Sequence, residues 1–438
     1  MYYIDVDFLK FCGSIKPMHA VNNVPVVPKT SETMYARMNE AHIPYARLHD
    51  TGGYFGGAHY VDIANVFPDF DADENDADSY DFAFTDALLQ DMTQHHLKPF
   101  YRLGATIENH HKIKAYHIYP PKDNEKWARI CEHIIRHYNE GWADGFHMNI
   151  EHWEIWNEPD NEPIIEDNPM WKGTKEEYFE LYKTAATHLK QCFPKLKIGG
   201  YASCGFYAIT NSDVSDTAKS SQRVDYFVEF FLDFLDFVVK NRLSLDFFSW
   251  HSYAGVEENI QYARYAREKL DEHGLSQCEV YLNEWNPGID NRGMQKDAAA
   301  VLSMMCALQD TPTDMCMYYD MRLSSAYCGM FHPMTNDVLK AYYAFYIFGK
   351  LYRLHNQVKC TVSGKHIYAL AASGKDGKGI AVANNSGEPV TVTVRINGGD
   401  AAKRKIYLAD EKRDFCENPD IRAEEMEIPP YGIVYIEE

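Results

Sequence analysis

Two stretches of this sequence place carboxylates in company that plain surface charge does not need. "HWEIWNEPDNEP" (152–163) carries Glu154, Glu158, Asp160 and Glu162 between tryptophans and prolines, and "YLNEWNPG" (281–288) repeats its Asn-Glu pair at Asn283 and Glu284. Each pair follows an apolar, strand-like run, so each would bring a carboxylate to the end of a buried strand. Two carboxylates that meet across one cleft can cleave a glycosidic bond. One protonates the leaving oxygen, and the other attacks or stabilises the anomeric carbon. The chemistry therefore depends on Glu158 and Glu284 converging although 126 positions separate them.

The elements that must position them read as alternating strands and helices. Strand-length runs occur at 15–22, 44–50, 97–106, 152–159, 195–203, 245–253, 278–285 and 314–322. Amphipathic helical patterns fall between them at 31–42, 85–96, 125–140, 174–193, 223–242, 257–273, 294–309 and 337–354. "TKEE" opens the fourth helix with the Thr and Glu spacing of a capping box. Eight such units predict an α/β fold of the closed (β/α)₈ TIM-barrel type, spanning residues 15–355. No GxGxxG turn follows the first strand, which argues against a dinucleotide fold. Beyond 355 the runs shorten and are punctuated by Gly, Asn and Asp. These predict a smaller antiparallel β-sandwich from 356–438, joined by the strand-like N-terminal residues 1–14.

Barrel sites lie at the C-terminal ends of the strands. Polar residues at those ends are Arg47, His49 and Asp50; Asn157 and Glu158; His251 and Tyr253; Asn283, Glu284 and Asn286. Barrel strands are buried on both faces, so each of these needs a reason. Strict alternation puts Glu154, Trp156 and Glu158 on one face. Glu154, deeper in the barrel, then reads as structural and needs a cation from Arg47 or Arg102. Glu162 and Glu166 lie past Pro159 and read as rim charge on a loop.

In these stretches, "MHAVNN", "ARLHD", "EIWNEPD", "FFSWHSY" and "LNEWNP", the chain resembles the retaining (β/α)₈ glycosidases, and within them glycoside hydrolase family 39, the β-xylosidase and α-L-iduronidase family. The resemblance covers roughly residues 15 to 290, and the terminal "PPYGIVYIE" fits an accessory domain. It implies Glu158 as general acid/base and Glu284 as nucleophile. Glu284 would stay ionised beside Arg47 and Tyr253, and Glu158 would begin protonated, raised by burial near Trp156 and by the charge of Glu284. Asn157 is placed for the sugar 2-hydroxyl, with a strand-end cap as the competing account. His49 and His251 are candidates for sugar hydroxyls against plain core histidines. Trp285 is a candidate apolar wall against barrel packing.

Composition sets the outer limits. Lys plus Arg number 43 against 64 Asp plus Glu, a formal net charge of −21, and no basic patch interrupts it. Nucleic acid and anionic membrane surfaces are therefore not expected partners. The opening "MYYIDVDFLK" lacks the basic start and long apolar run of a secretory signal, no run reaches a membrane span, and ten scattered cysteines lack a CxxC. Reduced thiols in a cytoplasm fit, with a secreted form lacking its leader as the alternative. The acidic "DFDADENDADSY" (69–80) has Glu74 and Tyr80 where a calcium loop needs Gly and Glu, so it reads as surface. The adjacent pairs His95–His96 and His110–His111 splay apart, and no metal or cofactor is expected. The predicted activity is a retaining hydrolase of terminal glycosides, β-xylosidase-like, on a carbohydrate substrate. The alternatives are a non-catalytic sugar-binding barrel, an inverting hydrolase, or another sugar of the same clan (β-glucoside, β-galactoside, α-L-iduronide or α-L-arabinopyranoside). Arg322 and His332, after the eighth strand, could meet a uronate or pack a loop. A homo-oligomer stays open.

Overall fold

A computed structural model describes residues 2–25, 31–49, 61–106, 117–210, 221–323 and 325–438. Asp50 and the His110–His111 pair lie outside the described residues. The chain opens with a long strand, β1 (Tyr2–Ser14), and then enters a closed parallel barrel. Its staves are β2 (Ala20–Asn22), β3 (Tyr45–Leu48), β4 (Lys98–Leu103), β5 (His152–Ile155), β6 (Lys197–Ser203), β7 (Phe247–Ser252), β8 (Glu279–Trp285) and β9 (Met315–Tyr318), with β9 pairing back to β2. All eight expected strands are present, each shorter than its sequence run or equal to it. The eight expected helices also form, including Asn124–Asn139, Lys175–Cys192, Ser221–Asn241 and Lys340–Leu354. Thr174 caps the second of these with a complete capping box to Glu177.

The barrel interior is stacked in layers. Tyr45, Phe100, Phe247, Tyr281, Met315 and Met317 fill the bottom as a small apolar cluster, with the His152 ring stacked on Phe100. Outward-facing residues of the same strands, such as Trp153, Ile155, Trp250 and Leu282, join the large core beneath the helices. The layer above the apolar floor is polar, and the site is built on it.

The remaining strands are β10 (Asn356–Val362), β11 (Ile367–Gly374), β12 (Gly377–Asn384), β13 (Val390–Asn397), β14 (Lys405–Ala409), β15 (Cys416–Glu417), β16 (Met426–Ile428) and β17 (Ile433–Glu437). They form one nine-stranded sheet ordered β15-β14-β17-β12-β11-β10-β1-β13-β16. The expected antiparallel sandwich is thus a single sheet curled over its own core, which includes Ile4, Val6, Val358, Ile380, Val394, Met426 and Ile436. One pair departs from antiparallel: β1 runs parallel to β13, Tyr2 to Val392 through Asp7 to Asn397. The cause is connectivity, because β1 is inserted between strands made far later and antiparallel pairing to β10 fixes its direction. β10 begins two residues after the last helix and was not separable from it by periodicity. The other face of the sheet packs on the helices Gln295–Gln309 and Lys340–Leu354. Gln295 ties the two parts by donating to the carbonyls of Ala409 (3.1 Å) and Tyr431 (2.8 Å).

Among the described residues no helix is long and apolar enough to cross a membrane, and the ten cysteines are free thiols. The helix Lys340–Leu354 approaches the barrel so closely that a Cβ on Gly349 would lie 1.9 Å from the Ala41 carbonyl oxygen. Gly349→Ala should therefore destabilise the protein by about 2 kcal/mol or more, read as a lower urea midpoint at unchanged m.

Candidate active site

The polar layer centres on Arg47 of β3 and Glu154 of β5, both fully buried. Arg47 Nε donates to Glu154 Oε2 at 2.7 Å, and Ser249 Oγ and Asn283 Nδ2 donate to Glu154 Oε1 at 2.6 Å each. Glu154 thus accepts three hydrogen bonds from buried donors, one of them charged, as a structural carboxylate requires. The remaining guanidinium donors reach upward: Nη1 to Asn22 Oδ1 at 3.1 Å and to Glu284 Oε2 at 3.4 Å, Nη2 to Asn157 Oδ1 at 2.6 Å. Arg102, the other candidate cation, pairs instead with Asp62 at 2.6 Å.

Local backbone irregularities place the two candidate glutamates. Regular alternation would let only one of Asn283 and Glu284 face inward. Here β8 carries an extra residue relative to both neighbours, since Leu282 pairs Trp250 and Cys316 while Glu284 pairs His251 and Trp285 pairs Tyr318. The bulge turns Asn283 toward Glu154 and Glu284 toward the mouth. On β5 the change comes from left-handed backbone at Trp156 (φ 77°) and Glu158 (φ 48°). This overturns the expected common face of Glu154, Trp156 and Glu158. The Trp156 ring packs between Trp127 and Trp171 on the helix side, and its indole donates to the Met170 carbonyl at 3.0 Å. The turn leaves Glu158 in the mouth, its backbone N–H donating to the Ala202 carbonyl at 3.0 Å.

In the mouth His251 stands between the two carboxylates. Its Nδ1 is 2.7 Å from Glu158 Oε1 and its Nε2 is 3.7 Å from Glu284 Oε2. Ligand-capable atoms of Glu158, His251 and Glu284 all lie within 4.8 Å of one another. Tyr253 OH donates to Glu284 Oε1 at 2.6 Å, and Asn161 Nδ2 donates to Glu158 Oε2 at 2.7 Å. Asn157 Nδ2 is buried, makes no hydrogen bond, and is oriented by the Arg47 contact on its other end. Burial, with the charges of Arg47 and Arg102, holds the His49 imidazole well below its ordinary range, so it is neutral. Trp285 is fully buried on the helix side of β8, edge-on to Tyr318 at 5.5 Å, which puts its ring in the core rather than against a sugar.

The proton balance runs opposite to the sequence expectation. Burial alone would raise Glu158, but the hydrogen bond and charge of His251, then Asn161 and Arg223, bring it below the ordinary carboxylate value. Burial is also the largest influence on Glu284 and, helped by the charge of Glu158, outweighs His251, Arg47 and Tyr253. Its carboxyl is pushed up to about 7. His251 is raised because Glu284 and Glu158 outweigh its burial. The geometry thus pairs His251 with Glu158 more closely than with Glu284.

Sequence reasoning missed Asn22, Asn161 and the two rings that extend from the expected Tyr253, with centroids 5.6 Å apart for Tyr253–Tyr327 and 5.3 Å for Tyr327–Tyr319. Asn22 sits in the quoted "MHAVNN" and could have been found as a polar residue ending a strand. Tyr327 could not, because it reaches the mouth from a loop. Arg322 pairs with Asp320 at 2.8 Å and donates to Tyr319 OH at 2.7 Å. His332 turns inward on its own loop, its Nδ1 accepting from the backbone of Met334 and Thr335 at 3.3 Å each. The acidic 69–80 segment spends its carboxylates on local turns and on Lys122 and Arg129. A second set of metal-capable donors, Glu132, His188 and Cys192, lies between two outer helices. There Glu132 is already held by Arg136 and His188 at 2.7 and 2.6 Å.

Comparisons with known proteins bear on the family and the fold. The family model for glycosyl hydrolases family 39 matches residues 62–322. A β-xylosidase from Caldicellulosiruptor saccharolyticus is 26% identical over 271 residues, covering 55% of this chain and 48% of the relative. The chain thus spans about half the length of that relative. Among solved structures, a glucosidase from Croceicoccus marinus superposes with a TM-score of 0.72 at 19% identity, covering 100% of this chain and 98% of the other. A monomeric β-xylosidase from Caulobacter crescentus gives 0.69 at 14% identity, covering 99% of each. At such identities these two likenesses speak for the fold.

Removing Glu154 leaves Arg47 buried without its counter-charge. Glu154→Ala should cost about 3–5 kcal/mol of stability by urea unfolding, and replacing Arg47 as well by Met should recover part of the loss. Equal destabilisation in the single and double variants would contradict this account.

Proposed function

The chain belongs to glycosyl hydrolases family 39, and from that premise we propose that it hydrolyses a terminal glycoside by double displacement, with a β-xyloside as the first substrate to test. The observation that carries the reading is the approach of Glu158 and Glu284 oxygens to within 4.8 Å across His251. Retaining enzymes hold their carboxyls about 5–5.5 Å apart, whereas inverting ones need about 6.5–9.5 Å to admit a water.

In the first step the ionised Glu284 attacks the anomeric carbon while Glu158 protonates the departing oxygen. The proton for Glu158 is already at hand. It moves along the 2.7 Å hydrogen bond from His251 Nδ1 to Glu158 Oε1. His251 then becomes neutral, as Glu284 gives up its own charge to the bond with the anomeric carbon. Arg47 and Tyr253 favour the ionised nucleophile by donating to Glu284. In the second step Glu284 carries no charge, Glu158 takes a proton from water, and the hydroxide oxygen displaces Glu284 from the anomeric carbon. Asn157 Nδ2 is oriented to donate to the sugar 2-hydroxyl, a contact that strengthens as positive charge develops on the ring. His49, neutral and buried, is the second hydroxyl partner.

The same cleft would serve other sugars of the clan, and the choice among them rests on the Tyr319–Tyr327 rim and the Arg322–Asp320 pair behind it. A sugar-binding barrel without turnover is disfavoured by the engaged, proton-sharing trio.

A panel of aryl glycosides followed by NMR of the fresh product should show retained configuration, with para-nitrophenyl β-xyloside among the substrates turned over. Glu284→Ala should abolish turnover. Glu158→Ala should slow poor leaving groups by about 10²–10⁴-fold and good ones much less. Because Glu284 must be ionised and stands at about 7, kcat/KM should fall as pH drops through that value. Inverted product, or full activity in Glu284→Ala, would remove the assignment.

A further inference from the structure

We infer that Arg223, on the helix Ser221–Asn241 and outside the cleft's catalytic trio, is a positioning residue that acts through Asn161 to set the protonation of Glu158; the inference rests on the acid/base role proposed above. Glu158 divides its two oxygens between different donors. Oε1 faces His251 Nδ1 and Oε2 accepts from Asn161 Nδ2, each at 2.7 Å. An asparagine side chain could present either end to a carboxylic acid, its NH₂ to the ionised form or its oxygen to the protonated form. Arg223 removes that choice. Its Nη2 donates to Asn161 Oδ1 at 2.9 Å and its Nε donates to the Asn161 carbonyl at 2.7 Å. A guanidinium only donates, so Oδ1 must face it and the NH₂ must face Glu158.

The consequence is directional. A fixed donor on Oε2 favours the carboxylate over the acid, the form in which Glu158 leaves the first step and enters the second. The positive charge of Arg223 adds to this, moderated by Glu162, which pairs with Arg223 Nε at 2.9 Å. Other charged or titratable groups also face Glu158. His251 and Tyr253 come from β7 and Glu284 from β8. Cys204 and Tyr207 follow β6, and Asp160 lies on the same turn, where it accepts from Ser203 Oγ at 2.7 Å. Of the cations among them, His251 is itself a member of the reacting trio. Arg223 alone in this set holds Asn161, so it can be altered without touching a group that meets the sugar.

The test is the pH profile of kcat/KM on an aryl glycoside for wild type, Arg223→Gln, Arg223→Lys and Asn161→Ala, with thermal unfolding as a check on folding. Loss of the donor or of the charge strengthens the hold of the His251–Glu158 pair on its shared proton, so the alkaline limb should move to higher pH, by about half a unit in Arg223→Gln and about one unit in Asn161→Ala. Arg223→Lys, which keeps the charge, should lie nearer wild type. The acid limb of kcat/KM, set by Glu284, should stay put in Arg223→Gln. If Arg223→Gln does not fold, Asn161→Ala and Arg223→Lys decide the matter. Alkaline limbs that coincide with wild type in the folded variants overturn this inference alone. A wild-type protein that turns over no glycoside, or a Glu158→Gln variant as active as wild type, overturns the functional reading instead.

Discussion

The ion pair of Arg47 and Glu154 is the contact on which the rest of the barrel's upper half depends. Two opposite charges in a fully buried layer are tolerable only when every donor and acceptor is met. Meeting them conscripts residues from five strands: Asn22, Arg47, Glu154, Ser249 and Asn283. What remains of the guanidinium after that engagement points at Asn157 and Glu284. A group that must be rigid for folding thus becomes the ruler against which the reacting groups are set. The apolar floor of Phe100, Phe247 and Tyr281 beneath it supplies the burial that makes the pair sensitive to geometry.

Above that layer the fold abandons regularity where chemistry requires it. A plain strand cannot send two consecutive side chains to one side, and a plain strand end cannot turn a glutamate back over the barrel axis. The extra residue in β8 does the first, and the left-handed residues at 156 and 158 do the second. A second bulge, in β6 between Gly200 and Ser203, leaves the Ala202 carbonyl free to receive the Glu158 backbone N–H. The regular strands hold the scaffold, and the irregular residues aim the carboxylates.

This division explains how much could be read from the sequence. The eight strands and eight helices were legible because burial on two faces or one leaves a periodic record. So was the structural role of Glu154, because a deep carboxylate demands a cation, and Arg47 supplies it from β3, one strand removed from β5. The common face assigned to Trp156 failed, because alternation was carried past the point where the backbone turns left-handed. Trp285 was open between two accounts, and the bulge at Asn283 decided it, since an extra residue reverses every face after it. The protonation order of Glu158 and Glu284 was also out of reach. It turns on which carboxylate the His251 ring touches more closely, 2.7 Å against 3.7 Å, and no spacing in the chain encodes that. Asn161 and Arg223 are 62 positions apart, linked only by the fold.

The placement of β1 carries an implication for how the chain comes to be folded. β1 precedes the barrel in the chain, yet both of its lateral partners, Cys360 beside Val6 and Val394 beside Ile4, lie beyond the barrel. The barrel can close around its own successive units while the leading segment still waits with Ile4, Val6 and Phe8 unsheltered. Ordering of the curled sheet is therefore a late, long-range closure, slow in the way that distant pairings are slow. During that interval β1 is the stretch most in need of protection from neighbouring chains.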